Sequence, residues 1–148
     1  MSDTPFRTLK GYERIENNQI THAMEDYLEM ICRHTGARGS LRLNRLAEIL
    51  CVRPSSASKM VGQLRNLGLV DCEKYGVIRP TEKGAALGAY LLRRHQVIHE
   101  FFCFINHSED ELEQTEKVEH FINDKTLHNM EEWLSQVKAE FPDSSPPG

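Results

Sequence analysis

Three observations on this 148-residue chain predict a mostly α-helical fold with a small β-hairpin. Several segments repeat apolar residues at helical spacing, a single stretch alternates instead, and Gly, Pro, Ser or Thr marks most of the boundaries between them. Thr21 suits an N-cap, so a first helix is expected to run to His34 and end near Gly36, with Ile20, Met24, Tyr27, Leu28 and Ile31 as its apolar stripe. Leu43, Leu46, Ala47 and Leu50 mark a short second helix over 43–50. After a break at Cys51, Val52 and Arg53, Pro54 fits the first turn of a third helix. That helix turns Ala57, Met60, Val61, Leu64 and Leu67 to one face, and Gly68 closes it. Residues 69–72 and 77–80 alternate around Glu73-Lys74-Tyr75-Gly76, the pattern of a two-stranded hairpin with a basic tip. Thr81 caps a long fourth helix over 82–105, Ser108 or Asp110 caps a fifth that reaches about Ile122, and a sixth covers 124–140.

Composition narrows the function classes. Hydrophobic residues make up 39% and charged residues 27%, with no apolar run near the roughly 18 residues a membrane span requires, so a membrane partner is not expected. The first twenty residues form a polar arm with acids, unlike a signal or transit peptide, and 142–148 form a Pro/Ser/Gly tail. Cys32, Cys51, Cys72 and Cys103 lie far apart with no CxxC pair, which fits reduced thiols in a cytoplasmic protein. The net charge of -4 hides a strong asymmetry. Residues 41–94 hold ten Lys and Arg against four acids, whereas residues 95–148 hold three against twelve. A basic middle suits a polyanion, and an acidic second half suits another task.

Two short helices, a tight turn and a basic hairpin together form a winged helix-turn-helix over 21–80, followed by a helical unit over 81–141. The third helix offers a small polar face of Ser55, Ser56, Ser58, Lys59, Gly62 and Gln63. Its hydroxyls allow close approach to double-stranded DNA, and Gln63 is suited to reading adenine. Arg53, Lys74 and Arg79 are placed for phosphate contacts at the turn and wing.

A second constellation carries metal-ligand types. Asp26 and Glu29 are i, i+3 on the first helix. Glu116, Glu119 and His120 share one side of the fifth, and His95 lies in line with Leu91, Ile98 and Phe102 on the fourth. Spacing alone leaves two readings open: a metal site, or solvated acidic faces with a core histidine.

The motifs Met24-Glu25-Asp26-Tyr27-Leu28-Glu29, Arg53-Pro54-Ser55-Ser56-Ala57-Ser58-Lys59-Met60-Val61, Glu73-Lys74-Tyr75, Arg94-His95 and Glu116-Lys117-Val118-Glu119-His120 occur in this order. In these segments the chain resembles the diphtheria toxin repressor family of metal-dependent repressors across roughly residues 21–140. The resemblance implies that Asp26, Glu29, His95, Glu116, Glu119 and His120 are metal ligands. It also implies a homodimer held through the helical unit and repression of metal-ion uptake genes through operator DNA. Where the family's iron branch has methionine and cysteine, this chain has Asp26 and Glu119, and a barrel-like domain after the helical unit is not expected. Both features resemble the manganese branch, and hard Mn2+ favours oxygen over sulfur. Four carboxylates and two imidazoles suit two Mn2+ ions per subunit with bridging carboxylates. The stripe Leu127, Met130, Leu134, Val137 and Phe141 serves either as core or as dimer seam.

Two other readings make different demands. A winged-helix regulator sensing an organic ligand, or none, would bind DNA regardless of chelator. A dinuclear carboxylate enzyme on a helical bundle requires Glu-x-x-His on two helices, and the chain contains no such motif, so no enzymatic activity is expected.

Overall fold

In the computed structural model, the Thr21 hydroxyl starts the first helix by accepting a hydrogen bond from Met24 N at 3.1 Å. The structure describes residues 20–36 and 39–140; the expected arm up to residue 19, the tail, and Phe141 lie outside the described residues. Helix α1 (His22–Thr35) buries Met24, Leu28 and Ile31. A two-residue strand β1 (Leu41–Arg42) leads into α2 (Leu43–Leu50). The break lies where the sequence puts it: Cys51 takes φ 55°, and Val52 N bonds back to Ala47 O at 3.0 Å, ending the helix. Helix α3 (Pro54–Asn66) buries Ala57, Val61 and Leu64 and closes at Gly68, whose φ is +75°.

The wing consists of β2 (Val70–Glu73), a 3-10 turn over Lys74–Gly76 and β3 (Val77–Pro80). In register, Cys72 faces Ile78 and Glu73 faces Val77. On its other side β3 pairs with β1, Leu41 against Ile78, so the sheet has three strands in the order β1-β3-β2. The hairpin is as expected, but the third strand is not. Two residues show no alternation, and β1 exists because β3 offers it a free edge.

Thr81 caps α4 (Glu82–Asn106) as read from sequence, accepting from Gly84 N at 3.0 Å. This 25-residue helix serves both halves of the molecule. Its first turns pack against α1 and the wing, where Leu91 joins Leu28, Ile31, Leu46, Leu64, Leu69 and Ile78 in one core. Its later turns place Val97 and Ile98 against Leu127 and Leu134 of α6 (Asp124–Glu140). Leu127 and Leu134 are therefore core of this chain, with Met130 partly buried against them. Beside them Trp133 packs edge-on against Phe101 and Phe104 at 5.2 and 5.4 Å.

The fifth helix departs from expectation. Neither Ser108 nor Asp110 is its N-cap: that position is Glu111, without a side-chain cap bond, and the Asp110 carboxylate accepts from Leu112 N at 2.9 Å just ahead of the helix. Helix α5 spans only Leu112–Val118 and tightens into a 3-10 turn over Glu119–Phe121. The chain must then extend at Ile122 so that Asn123 can start α6, its side chain accepting from Thr126 N at 2.8 Å. Glu119, one turn after the buried Thr115, lies inward, and Glu116 is exposed.

Candidate metal centre and nucleic-acid interface

The turn after α5 meets α1 and α4, and there five of the six residues singled out for metal converge. Glu119, only 2% exposed, stands between two imidazoles. One of its oxygens lies 2.8 Å from His95 Nδ1 and the other 3.9 Å from His120 Nε2. Asp26 Oδ1 is 2.9 Å from His120 Nε2, and Glu29 Oε1 is 4.0 Å from His95 Nδ1. Ligand-type atoms of Asp26, Glu119 and His120 thus fall within 4.8 Å of one another, and so do those of Glu29, His95 and Glu119. Glu119 belongs to both triads. Glu116 belongs to neither; its exposed carboxylate lines the same cavity of about 240 Å³, with Asp26, Glu29 and Glu119.

The electrostatics are those of acids packed together with protons as counter-ions. Burial pushes the Glu29 carboxyl up, and the neighbouring Glu119 charge adds to this. A hydrogen bond to Glu119 raises His95 despite burial. Burial works against a charged His120, but hydrogen bonds to Asp26 and Glu25 and the charges of both outweigh it and hold its pKa at about 9. Because this folded value lies above the ordinary 6.5, the charged ring stabilises the metal-free fold fully below about pH 6.5, and that contribution is lost as pH rises through about 9. The expected result is a falling melting temperature of the chelator-treated protein between pH 7 and 9.5, and a flatter profile in His120→Gln.

Sequence reasoning missed a supporting layer. Glu25 accepts from His120 Nδ1 at 2.9 Å, leaving Nε2 to face Asp26 and Glu119. Arg94, 4% exposed, lies 3.4 Å from the Glu25 carboxylate. The ring of His22 stacks on His120 at 4.8 Å and meets Phe121 edge-on. Glu25 and His120 are 95 residues apart, so no local pattern announces the pair. A carboxylate behind a ring nitrogen is the usual way of orienting a histidine ligand.

At the far end of the winged unit, Arg53, Ser55, Ser56, Ser58, Lys59, Gln63, Lys74 and Arg79 are all exposed. The first six share the open side of α3 and its N-cap, while Lys74 and Arg79 are on the wing. Arg79 is partly neutralised by Glu73 at 3.2 Å. Nothing lies within 4 Å of a Cβ built on Gly62, which shares that open face.

Comparison with known proteins assigns both halves. The profile of the iron dependent repressor N-terminal DNA binding domain matches residues 19–78. That of the iron dependent repressor metal binding and dimerisation domain matches residues 81–146. The chain belongs to the iron-dependent repressor family. As a member it is a metal-responsive, DNA-binding transcriptional repressor and not an enzyme, in line with the resemblance read from sequence. A metal-binding domain also removes the metal-independent reading. The repressor is 35% identical over 124 residues to the HTH-type transcriptional regulator MntR of Lysinibacillus sphaericus, a match covering 83% of this chain and 88% of that one. To MntR of Oceanobacillus iheyensis it is 32% identical over 121 residues, covering 81% and 82%. Among solved structures it is similar to the manganese regulator SloR, with TM-score 0.64 and 27% identity over 76% of this chain. It spans about half the length of SloR, 53%. Among the described residues, no helix is long and apolar enough to cross a membrane.

Proposed function

We propose that this repressor senses Mn2+, takes up two ions per subunit, and binds operators of metal-ion uptake genes as a homodimer. The observation that carries the reading is Glu119, a buried carboxylate with one oxygen toward each of two oxygen–nitrogen triads. Asp26, Glu119 and His120 would hold one ion, and Glu29, His95 and Glu119 the other, with Glu116 contributing from the cavity rim. Neither triad contains sulfur, and carboxylate with imidazole suits Mn2+ better than softer ions. The similarity to SloR, a manganese regulator, supports the same choice.

A bound divalent cation supplies positive charge among carboxylates that otherwise repel one another. The chain's own residues convert that charge into geometry. Asp26 and Glu29 project from α1 of the DNA-reading unit, His95 from α4, and Glu119 and His120 from the turn of the helical unit. Ligation by all of them ties α1 to the turn and sets the pose of α3. In a dimer, two copies of α3 would address half-sites about 34 Å apart or a multiple of it. Linkage makes the effect reciprocal: DNA raises metal affinity by the factor by which metal raises DNA affinity, commonly about 5–150-fold.

An EPR-monitored Mn2+ titration of chelator-treated protein tests the reading without knowledge of the operator. Saturation near two ions per chain supports it, and absence of saturable binding discards it. On the DNA side, Gly62→Ala is expected to stabilise α3 by about 0.5–1 kcal/mol. The same methyl would stand on the face offered to the groove and weaken DNA binding. Thermal melting and fluorescence anisotropy on a selected DNA fragment would show the two effects with opposite signs; unweakened DNA binding would place the interface elsewhere.

A further inference from the structure

The acid-lined cavity contains one permanent cation. Arg33 stands one turn beyond Glu29 on α1, and its Nη2 donates to Glu29 Oε1 at 2.8 Å. It lines the cavity with the four carboxylates. The Arg33 side chain is 43% exposed and that of Glu29 only 7%, so the guanidinium sits at the mouth and the carboxylate inside. Asp26 and Glu119 find their partners in His120 and His95, and Glu116 has no salt-bridge partner among the described residues. Among the described residues, Glu29 alone of the four is paired with Arg or Lys. The difference matters because an imidazolium can yield its proton to make room for a cation, and a guanidinium cannot.

The geometry points to Arg33 as a resident counter-ion that competes with the divalent cation for Glu29 and so sets the Mn2+ concentration at which the centre fills. This rests on the reading of the cavity as a cation site. The oxygen that Arg33 holds, Glu29 Oε1, is also the one 4.0 Å from His95 Nδ1. A cation shared by Glu29, His95 and Glu119 would meet the guanidinium's charge a few ångströms away. Like charges at such a distance repel even near a protein surface. Arg33 is at the mouth and reaches solvent, so filling requires it to swing outward rather than to be expelled from a closed site. The cost is finite, which makes it a threshold rather than a block. Without metal, the same residue offsets the charge of a carboxylate that is buried beside Glu119. Arg33 therefore stabilises the empty state and weakens the filled one.

These opposite signs supply the test. EPR-monitored Mn2+ titrations and metal-free melting curves would be compared for wild type, Arg33→Met and Arg33→Lys. Arg33→Met keeps the aliphatic packing and loses the charge. It is expected to reach half-saturation at about tenfold lower Mn2+. Its metal-free melting temperature should fall by about 2–4 °C, as Glu29 loses its partner. Arg33→Lys keeps the charge and should stay near wild type in both. A residue with a merely structural role would lower both the melting temperature and the affinity. Unchanged or weaker Mn2+ binding in Arg33→Met, with wild-type saturation intact, would overturn the proposal, as would Arg33→Lys behaving like Arg33→Met. Wild type without saturable Mn2+ binding would instead overturn the cation-site reading beneath it.

Discussion

Glu119→Gln is expected to remove both Mn2+ equivalents at once. The amide keeps the shape of the side chain and can still bond His95, so the fold around the 3-10 turn should survive. What it loses is the negative charge that faces both triads, with His95 Nδ1 2.8 Å from one oxygen and His120 Nε2 3.9 Å from the other. Losing a group that merely orients a ligand typically costs about 10–100-fold in metal affinity. Loss of a carboxylate common to two sites should exceed that for each ion. Asp26→Asn and Glu29→Gln touch one triad each, and each should leave one ion bound. Counting bound Mn2+ by EPR in the three variants separates the cases. One ion retained in Glu119→Gln would mean that the triads do not share this residue. Metal-dependent DNA binding should fail in Glu119→Gln, while metal-free stability should rise or hold, because an acid beside Glu29 has been neutralised.

Gly84→Ala is expected to be strongly damaging for so small a substitution. A Cβ at Gly84 would lie 1.8 Å from Leu69 O, and that carbonyl also accepts from Thr81 N at 3.0 Å. Backbone cannot rotate away as a side chain can, so the start of α4 would have to lift from the wing. Overpacking of this kind should cost about 2–4 kcal/mol, measurable by urea unfolding of the metal-free protein. Gly88→Ala is the instructive contrast. Its Cβ would meet Cys32 Sγ at 2.3 Å and Cys32 Cβ at 2.9 Å. Since the nearer obstruction there is a side-chain tip, Cys32→Ala should recover part of the loss in the double variant, the Cβ contact at 2.9 Å remaining. Gly84→Ala has no such rescue. Wild-type stability in Gly84→Ala would mean that α4 does not approach the wing this closely.

Much of this protein was legible without coordinates, for identifiable reasons. Caps, breaks and apolar periodicity are local, so Thr21, Pro54, Gly68 and Thr81 announced element boundaries that the structure reproduces. The polar face of α3 was readable because its opposite face is apolar at helical spacing. The candidate ligands were a different matter. Spacing alone allowed solvated acids, and the choice rested on the order of motifs along the chain.

The features left to the tertiary structure are those that depend on distant contacts. Strand β1 forms only against β3, and α5 shortens only because the chain must turn into α6. Docking of this segment decides which carboxylate goes inside: Glu119, one turn after the buried Thr115, is buried, and Glu116 stays at the rim. The partnership of Glu25 and Arg94 with His120 spans three elements and leaves no periodic trace. Residue types and local spacing therefore determined the elements and supplied the candidate ligands. Packing of α1, α4 and the turn decided which atoms meet, because distances of 2.8–4.0 Å between residues far apart in sequence are set by how helices dock.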